Sequence, residues 1–207
     1  MKKTALRLIV ILGFLAFCFT ASAQQTRKSA APPTIASVLN QELGIVEQQF
    51  VSAAEAMPAD KYSFAPTNGN FEGVRTFAQE VKHVATVNYE FYSALLSQDP
   101  PPGVTDNQQT NGPDSIQTKE QILKYLKDSF AFAHKATSTI TARNATAMLP
   151  KPRTPRAGVP SFLNTRLLLA SFGCAHVFDH YGQIVEYLRM NGITPPASQG
   201  QPPANPK

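Results

Sequence analysis

Four apolar stripes with helical spacing, each interrupted by proline, restrict this chain to an all-helical fold. In the first, Ile35, Val38, Leu39, Leu43, Val46, Phe50, Ala53 and Met57 recur at steps of three and four, and Pro58 ends the run. The second is expected over residues 72–96, with Val74, Phe77, Val81, Val84, Phe91 and Leu95 on its seam and Asn88 as a polar exception. The third opens with Thr118 and Gln121 at the spacing of a capping box and should run on until shortly before Pro150. Its stripe is Ile122, Leu126, Phe130, Ala133, Thr137 and Ile140. The fourth is expected over residues 161–191, with Leu163, Leu167, Ala170, Cys174, Val177, Tyr181, Ile184 and Leu188 on one face. Asn191-Gly192 suits a left-handed cap at its end. No alternating strand pattern and no internal repeat interrupts this series, so a four-helix bundle over residues 34–194 is the expected architecture.

The connections narrow the topology. Residues 98–117 carry Pro100, Pro101, Pro102 and Gly103, then Asn111-Gly112-Pro113, which excludes a helix or a strand there. Extended, such a loop reaches roughly 60 Å, more than the roughly 40 Å length of a helix. The third helix is therefore free to lie parallel to the second instead of folding straight back.

The ends read differently from the middle. Lys2, Lys3 and Arg7 precede an apolar run over residues 8–19, and Ala21-Ser22-Ala23 is a small-x-small cleavage site. Residues 1–23 are thus expected to be a signal peptide, with the mature protein exported, periplasmic or secreted. The apolar run is short for a bilayer span of about 20 residues, so no stable membrane span is expected after cleavage. Phe17 stands before Cys18 where a lipidation signal needs a small side chain. Residues 24–33 read as a flexible arm, and residues 195–207, with five prolines and no large apolar side chain, as an unfolded tail.

Charge and cysteine content exclude two classes. The net charge of +5 comes from 19 Lys and Arg against 14 Asp and Glu, and the leader takes three of the cations, leaving 16 against 14. Lys151, Arg153 and Arg156 alternate with prolines, which describes a solvated loop and not a nucleic-acid patch. No nucleic-acid partner is expected. Cys18 leaves with the leader and Cys174 stays alone, so the mature chain has no intrachain disulfide.

The chemistry concentrates in four histidines, all on expected helices. His176 and His180 are four apart, about 40° around one helix face, where two imidazoles reach one ion. A third ligand must come from another helix. His83, between Val81 and Val84, is the first candidate, and His134, beside Ala133, the second. The segment His176-Val177-Phe178-Asp179-His180 also approximates the inverted zinc-peptidase signature. A peptidase is disfavoured, because Asp179 is shorter than the required Glu and the only acidic residue downstream, Glu186, is on the same helix.

These residues also carry a resemblance. Arg75-Thr76-Phe77-Ala78-Gln79-Glu80-Val81-Lys82-His83-Val84-Ala85 with Asn88-Tyr89 is similar to the second helix of the DinB-like bundle family. His176-Val177-Phe178-Asp179-His180-Tyr181-Gly182-Gln183, continuing through Tyr187-Leu188-Arg189-Met190-Asn191-Gly192 to Pro195-Pro196, resembles its last helix. The resemblance implies an up-down-down-up four-helix bundle. It implies one divalent metal held by His83, His176 and His180, with His134 matching no ligand; imidazole ligands suit zinc, nickel, copper and iron, and zinc or nickel is the first expectation. It gives Asp179 the place of an acidic residue that orients a ligand or acts as a base. It also implies a homodimer. Characterised relatives include thiol-cofactor-dependent S-transferases and isomerases, so the functional expectation is a metal-dependent hydrolase or transferase acting on a small molecule. The alternative is a non-catalytic bundle that binds a metal or a partner.

Overall fold

The computed structural model describes residues 32–104, 110–150 and 159–200. The expected leader, most of the expected arm, the cationic loop at Lys151 and residues 201–207 lie outside them. Among the described residues four α-helices make up the fold: α1 (Ile35–Ala56), α2 (Phe77–Leu96), α3 (Lys119–Thr137) and α4 (Arg166–Met190). Among the described residues there is no strand, only a single antiparallel bridge between Met148 and Thr165. No described helix is long and apolar enough to cross a membrane.

Each helix starts at a threonine. Thr34, Thr76, Thr118 and Thr165 all sit in extended backbone and accept a hydrogen bond from the amide three residues on. In the first three a Ser37, Gln79 or Gln121 side chain returns the bond to the cap amide, completing a capping box worth about 1 kcal/mol. These caps set two starts later than expected. Helix α2 begins at Phe77 instead of residue 72, and α4 at Arg166 instead of residue 161. The third helix also stops earlier, at Thr137. The run Thr137-Ser138-Thr139-Ile140-Thr141 is rich in β-branched side chains, which lose rotamer freedom in a helix. Thr141 and Asn144 close a turn instead, each accepting from the other's amide at 3.3 and 2.7 Å.

The apolar stripes meet as expected. Leu43, Val46 and Phe50 of α1, Phe77, Val81 and Val84 of α2, Leu126 and Phe130 of α3, and Val177, Ile184 and Leu188 of α4 form one buried core. Val38 and Val74 depart from the expectation and are exposed. The polar exception, Asn88, donates to Ser129 at 3.2 Å, and Ser129 donates to the Leu126 carbonyl, so the buried amide is tied across α2 and α3.

Side-chain pairs fix the directions. Along α2 and α3 the numbers rise together: Thr86 meets Tyr125, Asn88 meets Ser129, and Tyr89 packs on Phe132, so these helices are parallel. Between α1 and α3 they run oppositely, with Asn40 on His134 and Glu55 on Lys127. Between α2 and α4 they also run oppositely, with Glu80 on His180 and Phe91 on Phe172. The order is up-down-down-up. The parallel α2–α3 pair is what the long second connection permits. Lys82 on α2 fastens that connection by donating to the carbonyls of Pro113 and Ile116 at 3.0 and 3.2 Å. Gly112 lies beneath it at φ +75°, where a Cβ would stand 2.9 Å from Lys82 Cβ, so the close approach requires glycine.

Order persists past the expected end of the bundle. Pro195 is buried and Pro196–Ser198 forms a 3-10 turn, so the first residues of the expected tail are folded. Proline fixes φ near the value this turn needs, which composition alone had assigned to an unfolded segment.

Candidate metal centre

Because α2 and α4 are antiparallel, His83 faces His176 and His180. Their three nearest ring nitrogens lie within 4.8 Å of one another. His83 Nε2 and His180 Nε2 each stand 3.2 Å from His176 Nε2. Three nitrogens bound at about 2.0–2.1 Å to one tetrahedral ion stand about 3.3 Å apart, so the spacing suits a shared ion.

Proton placement strengthens the fit. His83 Nδ1 faces the Thr110 carbonyl at 3.0 Å and the Thr110 hydroxyl at 2.8 Å. His180 Nδ1 faces Glu80 Oε2 at 2.6 Å. A carbonyl and a carboxylate only accept, so both Nδ1 atoms carry a proton, and in a neutral ring the Nε2 atom then presents its lone pair. His176 Nε2 can donate to only one of them. At least one pair of lone pairs is left converging without a proton, which a cation relieves. His176 Nδ1 is buried with no hydrogen-bond partner among the described residues.

Burial, first of all, lowers the His83 pKa to about 4, with the charges of Arg75 and His180 adding to it. Burial likewise lowers His176 to about 3, followed by the charges of His180, His83 and Arg75. The lone pairs of His83 and His176 are therefore available at neutral pH. The outer contacts have the form that orients imidazole ligands, a carboxylate or carbonyl on the far nitrogen. Thr110 holds its place at φ 54°, a left-handed conformation that is unfavourable for a β-branched residue by about 1–3 kcal/mol. Its hydroxyl and carbonyl both engage His83, which accounts for the strain being kept.

The other expected residues fall elsewhere. Asp179 is exposed and accepts from Gln183 Nε2 at 3.1 Å. That amide in turn lies 3.4 Å from His180 Nδ1, so among the described residues Gln183 stands between Asp179 and the cluster. Glu80, which spacing did not single out, is the carboxylate that meets the cluster. The clue was available: Glu80 lies three residues before His83, on the same side of α2. Thr110 had no sequence signal, since only the fold brings the loop to His83. His134 is bonded on both nitrogens, to Asn40 at 2.7 Å and Glu47 at 2.9 Å, and ties α1 to α3. Cys174 is buried and its thiol is pushed up to about 12, chiefly by burial, which keeps it protonated and unreactive.

Known proteins agree with the fold. A solved structure described as a conserved protein from Enterococcus faecalis is similar at 16% identity with a TM-score of 0.58. The match covers 77% of this chain and 98% of that one. No curated protein matches. The sequence pattern of the DinB superfamily matches residues 42–184, the greater part of the chain and all three histidines, and the chain belongs to that superfamily.

Proposed function

We propose that this is an exported protein that holds one divalent ion, zinc or nickel, on His83, His176 and His180, and acts as a metal-dependent hydrolase or transferase on a small molecule. The observation that carries the reading is the convergence of three ring nitrogens within 4.8 Å, with His83 and His180 Nε2 each 3.2 Å from His176 Nε2, while Thr110 and Glu80 occupy the far side of two rings. Among the described residues no fourth His, Cys or carboxylate joins the cluster. Three protein ligands with an open position is the pattern of catalytic sites, whereas structural sites close with four. A bound divalent ion would supply Lewis-acid activation of water or of a thiol.

The protein's own part is to orient and to exclude. Glu80 and Thr110 fix the tautomers of His180 and His83, so both rings offer the same nitrogen. Phe91 packs beside the His176 ring at 5.9 Å and shields it from water. Export rests on the cationic, apolar and small-residue order of residues 1–23.

Elemental analysis of the purified protein tests the reading, with a His176→Ala, His180→Ala double variant as control. About one zinc or nickel per chain, lost in the variant, is the expected result. Metal at background after reconstitution would leave the histidines a structural cluster and remove the catalytic reading. Hydrolase and thiol-transfer assays on the loaded protein then separate the enzyme from a non-catalytic metal-binding bundle.

A further inference from the structure

One buried acid on α2 has no part in the proposed metal function. Glu90 is 2% exposed, and neither of its carboxyl oxygens has a hydrogen-bond partner among the described residues. It stands seven residues after His83, so the two side chains leave the same face of α2, roughly 10 Å apart along its axis. Its chain neighbour Phe91 packs against the His176 ring. Val87, one turn from both His83 and Glu90, is buried as well, which keeps the intervening dielectric low.

The elements around Glu90 bring it no compensating charge. On α3 the titratable group within its electrostatic reach is Tyr125, whose hydroxyl is 3.1 Å from Thr86 Oγ1. On α2 the Ser93 hydroxyl, three residues on, is buried without a partner too. Lys82 is taken up by the carbonyls of Pro113 and Ile116 in the connection after α2, where Asp114 also bears on it. On α4 the cation is Arg166, which donates to the Leu95 carbonyl, and the other ionisable groups facing α2 are His176 and His180. Burial alone pushes the Glu90 carboxyl up to about 7. A neutral acid is the form that a sealed site without a cation accommodates.

A divalent ion on the three histidines changes that balance. Neutral imidazoles bring it no negative charge, and Glu80 brings one through His180. At roughly 10 Å and an effective dielectric of about 20, a divalent charge favours an ionised carboxyl by roughly a hundredfold. We infer that Glu90 is the charge-compensating residue of the histidine centre, a neutral acid when the centre is empty and a carboxylate when it holds a divalent cation, so that loading expels a proton. The O–H bond of the carboxyl breaks, its electron pair stays on the carboxylate and the proton goes to the buffer; nothing is oxidised or reduced. The inference rests on the metal reading. Glu90 is no ligand in this account, and it acts on the ion through the field along one face of α2.

Calorimetry of zinc uptake by the metal-free protein, at about pH 6 in two buffers of different protonation enthalpy, counts the protons released. Wild type should release roughly one proton more per zinc than Glu90→Gln, a difference in which any proton lost by the histidines cancels. Infrared difference spectra read the same event on the residue itself. The carbonyl band of a neutral carboxylic acid should be present in metal-free wild type, vanish on loading and be missing from Glu90→Gln throughout. At about pH 8 the variant should also bind zinc roughly tenfold or more weakly than wild type. Equal proton counts, or an acid band that survives loading, would overturn the inference while zinc stays bound. No zinc uptake by wild type, read by elemental analysis, would remove the metal reading and this inference with it. Glu90→Met, of similar volume and with no charge, repeats the proton count should Glu90→Gln unfold.

Discussion

Among the described residues two histidine–carboxylate pairs each bridge two helices, and they differ in what the far nitrogen meets. His180 and Glu80 join α4 to α2 at 2.6 Å, with side chains only 8% and 3% exposed. His134 and Glu47 join α3 to α1 at 2.9 Å, with side chains 32% and 31% exposed. In the first pair the carboxylate takes Nδ1 and leaves Nε2 facing another imidazole. In the second the carboxylate takes Nε2 and Asn40 takes Nδ1, so no nitrogen is left. A histidine becomes a ligand when one nitrogen is spoken for and the other is aimed at a shared point. It becomes a tie when both are occupied.

The largest effect that tests this contrast is ligand removal. Alanine at His83, His176 or His180 should each drop bound metal to background under conditions where wild type retains it, whereas His134→Ala should retain the full content. Elemental analysis after gel filtration reads both. Metal retained in His83→Ala would break the three-ligand account and leave a two-histidine site.

Acid should come next. The folded pKa values of His83 and His176, about 4 and about 3, lie below the ordinary value of 6.5. Above pH 6.5 both the folded and unfolded chains hold neutral rings, and the full stability is present. Between 6.5 and 4 the unfolded chain takes up protons that the folded one refuses, so metal-free protein should lose stability as pH falls. The loss should be on the order of 2 kcal/mol from each histidine. Urea unfolding in the presence of a chelator at pH 7.5 and pH 5 measures it. A His83→Gln, His176→Gln double variant should flatten the slope, and an unchanged slope would assign it to other groups.

Glu80 should show a smaller, selective effect. Losing the partner of a ligating histidine typically costs about 10–100-fold in metal affinity. Glu80→Ala should fall in that range and Glu80→Gln should lose less, because its amide oxygen still accepts from His180 Nδ1. Competition against a chromogenic chelator reads the difference. Equal affinity for wild type and Glu80→Ala would mean that packing alone orients His180.

How much of this was legible in the residues follows from the physics of each element. The stripes over α1 and α3 and the His176–His180 pair depend only on helical period, and apart from the exposed Val38 and from Ile140, which lies past the end of α3, they stand where the spacing puts them. The start of α2 was placed too early because Val74 extends the apolar rhythm, although Thr76 and Gln79 already formed a capping box. Leu163 did the same for α4: it is buried, but from the turn that precedes the Thr165 cap. Asp179 fell one residue before His180 in the chain, yet that step turns it about 100° around the helix and away from the cluster. Thr110 was beyond reach altogether, since its contact with His83 spans 27 residues and depends on how the loop is fastened by Lys82.

The smallest expected effect belongs to the second pair, and it is the sharpest control. Glu47 and His134 are each about a third exposed, so water competes for both and solvent screens their charge. Exposed pairs of this kind contribute about 0–1 kcal/mol. Glu47→Gln should therefore shift the urea midpoint only slightly and leave metal content as in wild type. It keeps an amide that can still bond His134 Nε2, so the tie between α1 and α3 survives in weakened form. The same Glu-to-Gln change at position 80 should leave the fold equally intact but alter metal affinity. If the two substitutions gave the same metal affinity, the distinction between a ligand's orienting carboxylate and a structural tie would have no energetic content in this bundle.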